Sequence, residues 1–312
     1  MSTNPLRPAI FAADDLVPGV WASLPATRAL WNHLLDVGSR FPSLTMGWAA
    51  RPGLDILVGR LAEMLTKAGL NVFLATGPVP VAALAMSLGD RQQPLGLYID
   101  ETGDGRYSAL ALTTHGGPVL ESDILETSVP PRTGRVGVIG TTDFLEPYVK
   151  RMGQLLDPIT EDRVRLSDLE SPFTQLHLRM RPFPEYRLLF DHTPDGPRAV
   201  ISPDGQALQL FGKDGAPVAT RAIVATIGTY LTRLRGASGT LVGPRGTSEL
   251  AAGIGDAAEI EGDALDMASQ AGYTDLLLGW WENGIVAHQG HAPFGDAYLT
   301  LLYLLESWNA EP

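Results

Sequence analysis

Hydrophobic residues along the first third of the chain recur with the spacings of helices and strands in alternation. The clearest helical stripe runs over 54–68, where apolar residues recur every three or four positions until Gly69 ends the pattern. Short continuous apolar runs on either side of it are typical of buried strands. The elements predicted in this region are helices over 27–37, 54–68 and 81–88 and strands over 43–48, 71–75 and 95–99. This order predicts a mostly parallel sheet covered by helices on both faces.

The same alternation continues through the rest of the chain and predicts further α/β units. Helices are predicted over 144–156, 217–234, 247–252, 263–271 and 296–308, and strands over 136–139, 187–190, 199–202, 240–242, 275–278 and 285–288. Residues 130–134 (PPRTG) indicate a linker after the first unit. We therefore expect an α/β fold of three consecutive α/β/α domains with mostly parallel mixed sheets, over 1–134, a shortened 135–204 and 205–312.

Composition narrows the class of protein. The 312 residues are 45% hydrophobic and 19% charged, as expected of an ordinary folded protein. A formal net charge of −12 argues against nucleic-acid or anionic-membrane partners. The absence of cysteine excludes disulfides, thiolate metal sites and thiol catalysis. Because no apolar run approaches the roughly 18 residues of a membrane helix and no signal-peptide pattern opens the chain, we expect a cytoplasmic protein.

Taken alone, the residues offer three candidate sites, two in loops and one where a predicted strand leads into a loop, and no familiar catalytic motif. Thr102 lies in a glycine-rich segment after a predicted strand, at the edge of a parallel sheet where ligands bind, but three acidic residues surround it. It could hold phosphate through backbone donors or be a solvated turn. The segment containing Asp191, His192 and Asp195 could bind a metal ion or be a hairpin turn. His288 and His291 could form a metal pair, although two solvated histidines are the simpler interpretation.

The order of several short motifs carries more information than any one of them. Residues 46–53 (MGWAARPG), 96–105 (GLYIDETGDG) and 198–205 (RAVISPDG) follow one another along the chain, and a Glu-Asn-Gly loop at 282–284 follows them. Together with residues 11–18 (FAADDLVP) and the Gly-Pro-Val-Pro turn at 77–80, this order resembles the α-D-phosphohexomutase superfamily, the phosphoglucomutases and phosphomannomutases. The corresponding family segments are GxDTRxSG, GxxITASHNP, the strand that follows DGDADR, and GExSG.

The resemblance implies a role for each matching residue. Thr102 takes the position of the serine that carries the phosphoryl group, and Arg51 and Arg198 match arginines that support catalysis. Asp195 matches one ligand of the family's Mg²⁺ ion, and a shift of the loop would add Asp191. The loop of Glu282, Asn283 and Gly284 matches the segment that selects the sugar. The implied partner is therefore a hexose phosphate, and the implied cofactor is Mg²⁺ if the protein is active.

The same comparison shows departures that bear on catalysis. Asp100, Glu101 and Asp104 would oppose the charge of a phosphate on Thr102. The other two metal-ligand positions hold Thr193 and Pro197, so one aspartate of three remains. No lysine lies between residues 103 and 149, where the family has one. We also expect the family's fourth domain, which grips the far phosphate of the substrate, to be absent.

These observations lead to one favoured hypothesis and two alternatives. The favoured one is a catalytically degenerate phosphohexomutase-like protein with a sugar-phosphate-binding or partner-regulating role. The first alternative is an active intramolecular phosphotransferase, an isomerase of carbohydrate metabolism that uses Thr102. The second is an unrelated α/β interaction protein. An apolar face on helix 296–308 could support self-association or a protein partner.

Overall fold

A computed structural model describes residues 4–91, 93–124, 136–157, 164–271 and 275–310. Its internal contacts group the chain into two compact units, 1–144 and 145–312. The linker predicted at 130–134 lies outside the described residues. Within the described ranges, no helix has the length and apolar character needed to cross a lipid bilayer.

The first unit is a six-stranded sheet with helices packed on it. Its sheet order is β1-β5-β4-β2-β3-β6, in which β4, β2, β3 and β6 run parallel while β5 and β1 are antiparallel to their neighbours. The strands are β1 (Ala9–Ala12), β2 (Ser43–Trp48), β3 (Asn71–Ala75), β4 (Leu95–Gly103), β5 (Arg106–Thr113) and β6 (Ile139–Thr142). The helices are α1 (Pro18–Ser23), α2 (Pro25–Arg40), α3 (Leu54–Lys67) and α4 (Val81–Arg91).

The second unit contains two further sheets. A three-stranded sheet has the order β7-β8-β9, and a four-stranded sheet has the order β11-β10-β12-β13, each with one antiparallel edge strand. The strands are β7 (Asp168–Glu170), β8 (Arg198–Ile201), β9 (Leu208–Phe211), β10 (Thr240–Gly243), β11 (Asp256–Glu259), β12 (Leu276–Trp281) and β13 (Ile285–His288). The helices are α5 (Leu145–Leu155), α6 (Thr174–Met180), α7 (Thr220–Arg233), α8 (Thr247–Ala251), α9 (Ala264–Ala271) and α10 (Ala297–Ala310).

Helix α10 forms the centre of the second unit. It packs against α7, β8, β9, β13 and a 3₁₀ helix at Pro184–Leu189. Its leucines at 301, 302, 304 and 305 are all buried. The apolar face that could have supported self-association is therefore covered by neighbouring elements of the same unit.

The predicted α/β class with mostly parallel mixed sheets is confirmed, and three sheets follow one another along the chain. The boundaries of the three predicted domains stay a prediction. Strand β6 lies in the first sheet, beyond residue 134, and the hairpin of β8 and β9 crosses position 204.

Two predicted strands need correction. Residues 187–190 were expected to form a strand, but Pro184–Leu189 is a 3₁₀ helix that begins at a proline and buries Tyr186, Leu188 and Leu189. Its apolar run reflects burial against α10 rather than a place in a sheet. The strand expected over 136–139 lies at Ile139–Thr142.

Candidate functional site

The carboxyl ends of β2 and β4 meet in the first unit, as expected for parallel strands. The amide of Ala49 donates to the carbonyl of Ile99 at 3.0 Å, and the amide of Val79 donates to the carbonyl of Trp48 at 3.0 Å. The hydroxyl of Tyr98 donates to the carbonyl of Val79 at 2.9 Å. These bonds bring the loops 48–53 and 76–80 together beside the end of β4.

Arg51 reaches across this edge to the end of β4. Its Nε donates to Oδ1 of Asp100 at 2.5 Å, and the two side chains are 33% and 22% exposed. The same oxygen accepts a hydrogen bond from the amide of Glu101 at 2.7 Å. A charge-assisted bond of this kind orients the guanidinium and neutralises much of its charge. Arg51 is therefore committed to a carboxylate of its own unit.

Thr102 lies beside a tight hairpin rather than in an open loop. Strands β4 and β5 pair up to Gly103 and Arg106, which leaves Asp104 and Gly105 as the connecting residues. Both have positive φ angles, 53° and 67°, the geometry of a type I′ turn. The exposed hydroxyl of Thr102 donates to the carbonyl of Arg106 at 3.2 Å. The Asp-Gly pair is the sequence signal for this hairpin, and of the two interpretations left open for the segment, a phosphate site or a solvated turn, the geometry fits the turn.

Arg198 opens β8 in the second unit and faces two acidic residues of β7. Its Nη2 donates to Oε2 of Glu170 at 2.5 Å, and its Nε lies 3.9 Å from Oδ2 of Asp168. The guanidinium carbon also lies 5.5 Å from the centre of the Phe211 ring. These contacts fix Arg198 at the start of the central strand of the three-stranded sheet and balance its charge locally.

The predicted metal ligands Asp191 and Asp195 lie in an exposed turn before Arg198. Gly196 of this turn packs closely on the preceding chain, where an added Cβ would lie 2.1 Å from the carbonyl oxygen of Arg165. Among the residues that the structure describes, no three His, Cys, Asp or Glu side chains are arranged to hold a metal ion. The donor set at this turn therefore does not fit a Mg²⁺ ion held by three aspartates.

The loop of Glu282, Asn283 and Gly284 connects β12 to β13, and hydrogen bonds to neighbouring residues hold its backbone in place. The hydroxyl of Thr220 donates to the carbonyl of Glu282 at 2.7 Å and accepts from the amide of Gly284 at 3.0 Å. The carbonyl of Gly284 in turn accepts from the amide of Leu208 at 3.0 Å. The side chains of Glu282 and Asn283 are exposed, so this loop presents a carboxylate and an amide from a fixed backbone.

We expect Gly284→Ala to disrupt this loop. The residue has φ +89°, and an added Cβ would lie 2.3 Å from the backbone oxygen of Leu208, a contact that cannot form without moving β9. The free energy of unfolding should fall by about 2 kcal/mol or more, measured by urea denaturation. Gly59→Ala in α3 is the matched control, because its Cβ would meet no atom within 4 Å. Equal stability of the two variants would contradict this account of the loop.

A buried polar network in the second unit was missed by the sequence analysis. His291 was interpreted as solvated, yet its Nε2 lies 2.7 Å from Oδ2 of Asp296, and both side chains have 0% exposure. The hydroxyl of Tyr148 donates to the same carboxylate at 2.9 Å, and the amide of Leu299 donates to it at 3.0 Å. This last bond places Asp296 at the start of α10, where a carboxylate stabilises free backbone amides.

Burial and hydrogen bonding act in opposite directions on Asp296. Burial raises its pKa, but the hydrogen bond and the positive charge of His291, with the bonds from Leu299 and Tyr148, outweigh that effect and lower the pKa below its usual value. His288, also predicted to be solvated, is buried as well. Its Nε2 lies 2.8 Å from the hydroxyl oxygen of Thr300, and burial lowers its pKa to about 3. The spacing of the two histidines did not indicate that they are buried. Their burial depends on tertiary packing, including that of Tyr148, which lies far away in the sequence.

Among the comparisons with known proteins, only the comparison of three-dimensional structures finds similar proteins. No family model matches the chain, and no curated protein matches its sequence. A protein assigned as a phosphomannomutase from Thermus thermophilus is similar with a TM-score of 0.71 and 19% identity, over 89% of this chain and 75% of that one. A phosphoglucomutase/phosphomannomutase family protein from Burkholderia thailandensis has a TM-score of 0.70 and 16% identity, over 100% and 78% of the two chains.

A third structure was determined with ligands. N-acetylphosphoglucosamine mutase from Aspergillus fumigatus, in complex with GlcNAc-6P and magnesium, has a TM-score of 0.54 and 9% identity over 93% of this chain and 68% of that one. Identities this low establish the fold. The protein therefore has the fold of phosphomannomutase and phosphoglucomutase structures, as the motif order predicted.

Proposed function

We propose that the protein is a phosphohexomutase-like protein that binds a sugar phosphate and does not transfer its phosphoryl group. The observation that carries the proposal is the hairpin at Asp104 and Gly105. It closes the segment at the phosphoserine position into a two-residue turn and leaves Thr102 exposed at its base. The family resemblance implied a phosphate-carrying loop at this position, and phosphoryl transfer needs groups positioned around the transferred phosphate to stabilise its charge.

Charge supports the loss of catalysis. Phosphoryl transfer rests on positioning and on neutralising the charge of the transferred group. Thr102 has Glu101 and Asp104 as near neighbours in the chain, and Asp100 already pairs with Arg51. A phosphate on this hydroxyl would therefore lie among carboxylates that oppose its charge, while the guanidinium of Arg51 is engaged by one of them.

The residues at the predicted metal site in the second unit support the same proposal. Arg198 pairs with Glu170, and the turn carrying Asp191 and Asp195 offers no third carboxylate among the described residues. Each of these groups is engaged or isolated in its own unit. The chain thus keeps the fold while the groups that would carry out the reaction serve other contacts.

The retained capacity is recognition of a sugar. Glu282 and Asn283 are exposed on a backbone fixed by Thr220, and a carboxylate beside an amide can accept from and donate to neighbouring sugar hydroxyls. Such preorganisation reduces the ordering cost of binding. The Aspergillus mutase was captured with GlcNAc-6P, which makes hexose phosphates the first ligands to test here.

The deciding experiment separates transfer from binding. The protein is incubated with Mg²⁺ and labelled glucose 1,6-bisphosphate, and its intact mass is then measured. We expect no phosphoryl increment, together with hexose-phosphate binding in calorimetry that Glu282→Gln weakens by about tenfold or more, the effect of one hydrogen bond to a charged group. Glu63→Gln, an exposed glutamate on α3, is the control and should leave binding unchanged.

Two other outcomes would replace the proposal. A stable phosphoryl group that disappears in Thr102→Ala would establish an active intramolecular phosphotransferase. Neither transfer nor hexose-phosphate binding would leave an α/β protein that acts through a protein partner.

A further inference from the structure

A cavity of about 460 Å³ lies at the carboxyl end of the parallel pair β7 and β8. Ser171 follows the last residue of β7, Ser202 follows the last residue of β8, and both line the cavity. Glu170, Gln209 and the apolar side chain of Val200 complete its principal surfaces. The carboxyl end of parallel strands is where α/β sheets place their ligands. Neither Thr102 nor the loop at 282–284 lines this cavity.

Ser171 is the end of a hydrogen-bonded chain that leads away from the cavity. Its Oγ bonds to the hydroxyl of Tyr298, and that hydroxyl lies 2.9 Å from Nε2 of His177. Tyr298 is 0% exposed and packs edge-to-face on His177 with ring centres 5.7 Å apart. These hydrogen bonds therefore connect Ser171, at the cavity wall, to the imidazole of His177 on α6 through the buried hydroxyl of Tyr298.

The protonation states of His177 and Tyr298 allow Ser171 to give up its proton to them. Burial, and then the positive charge of Arg181, lower the pKa of His177, so the imidazole is neutral at pH 7. With its proton on Nδ1, Nε2 accepts from Tyr298, whose oxygen is then free to accept from Ser171. Burial raises the pKa of Tyr298, so the phenol passes a proton on rather than losing its own.

We propose that Ser171 is a nucleophile, activated by His177 through Tyr298, and that the cavity accepts a small uncharged ester. Ser171 Oγ attacks the carbonyl carbon, the Oγ–C bond forms, and the bond from that carbon to the alcohol oxygen breaks. The serine proton passes to Tyr298 as the tyrosine proton passes to Nε2 of His177. The departing alkoxide takes a proton from solvent at the open side of the cavity and leaves as the alcohol, the proton held on His177 is released to solvent, and the acyl group stays on Ser171.

The surroundings of Ser171 define the kind of ester. The amide of Phe173 donates to Ser171 Oγ at 3.2 Å and stabilises negative charge that develops there. The carboxylate of Glu170 is already paired with Arg198, while Val200 and the prolines 172 and 203 provide apolar surface for a short uncharged acyl group. The amide of Gln209 lines the same cavity and can donate to a carbonyl oxygen.

The test uses the full chain and p-nitrophenyl acetate. We expect one acetyl group in the intact mass, mapped to Ser171 by peptide sequencing, and no such group in Ser171→Ala. Ser202→Ala is the matched control, because Ser202 lines the same cavity but donates to Asp204 at 2.5 Å, and labelling should persist. Acetylation of other sites only, or equal labelling in Ser171→Ala, would overturn the proposal.

The role of the relay needs its own measurement. Tyr298→Phe keeps the ring and removes the bridging hydroxyl, so the rate of acetylation should fall about 100-fold, the usual size of general-base assistance. In the wild type the rate should fall at acid pH as His177 takes up a proton, and His177→Gln should remove that inflection while circular dichroism stays native. The groups facing His177 are Arg181 on its own helix and Tyr298 and Phe190 across from it. An unchanged pH profile in His177→Gln would refute the relay, even if Tyr298→Phe fails to fold.

Discussion

Asp296→Ala should lower the free energy of unfolding of the second unit by about 3 kcal/mol or more, because several buried hydrogen-bonding groups lose their partner together. The substitution removes three interactions at once. His291 loses the carboxylate 2.7 Å from its Nε2, Tyr148 loses its hydrogen-bond acceptor, and the amide of Leu299 loses its cap. All of these groups are then left buried without a partner, which costs more than the bonds themselves contribute.

Asp296→Asn provides a graded comparison. The amide oxygen can still accept from Tyr148 and Leu299, but the carboxylate oxygen that faces His291 Nε2 is gone. We expect a loss of stability clearly smaller than that of Asp296→Ala. Urea denaturation followed by tryptophan fluorescence, to which the buried Trp280 of this unit contributes, measures the loss. Asp191→Ala, an exposed carboxylate, should change stability by less than about 0.5 kcal/mol, and an Asp296→Ala variant within that range would disprove the role assigned to the network.

The second unit should also lose stability between neutral and acid pH because of His288. Burial lowers the pKa of this imidazole to about 3 in the folded protein, whereas an unfolded histidine has a pKa near 6.5. Between these values the unfolded chain binds a proton that the folded chain excludes. The stability contributed by neutral His288 is therefore full above about pH 6.5 and declines as the pH falls, by up to about 1.4 kcal/mol per pH unit.

Asp296 also makes the second unit less stable as the pH falls, at lower pH values. Its pKa in the folded protein is lowered below that of an unfolded aspartate, so its contribution is lost as the pH falls through the folded pKa. Urea midpoints at pH 7, 5.5 and 4 measure the combined slope. His288→Gln should flatten the slope above pH 4, whereas His192→Gln, at an exposed histidine, should leave it unchanged. An identical slope in both variants would show that His288 is not the group that titrates.

Sequence periodicity predicted the parallel part of the fold well, because buried parallel strands and amphipathic helices give strong local signals. The helix predicted over 54–68 is Leu54–Lys67, and the strand predicted over 71–75 has those bounds. The antiparallel strand β5 was missed, although its turn is marked by Asp104 and Gly105. The motif order had assigned that segment to a phosphate loop, and the local turn signal describes its geometry better.

The polar chemistry of the second unit was much less predictable. Tyr298 bonds to Ser171, which lies 127 positions away, and Tyr148 bonds to Asp296 across 148 positions. No local pattern announces such pairs, since each residue taken alone is ordinary in its helix or loop. Their roles follow from burial, which only the tertiary structure defines. The placement of Asp296 at a helix start was the one part of the network that the sequence indicated.

The position of α10 has a consequence for how the chain folds during synthesis. The first unit holds all of its strands within its first 144 residues and can form a core as soon as they have left the ribosome. In the second unit, the apolar faces of β8 and β9 are covered by α10, which is synthesised about 90 residues later. That unit therefore closes through contacts distant in sequence, which form more slowly than local ones.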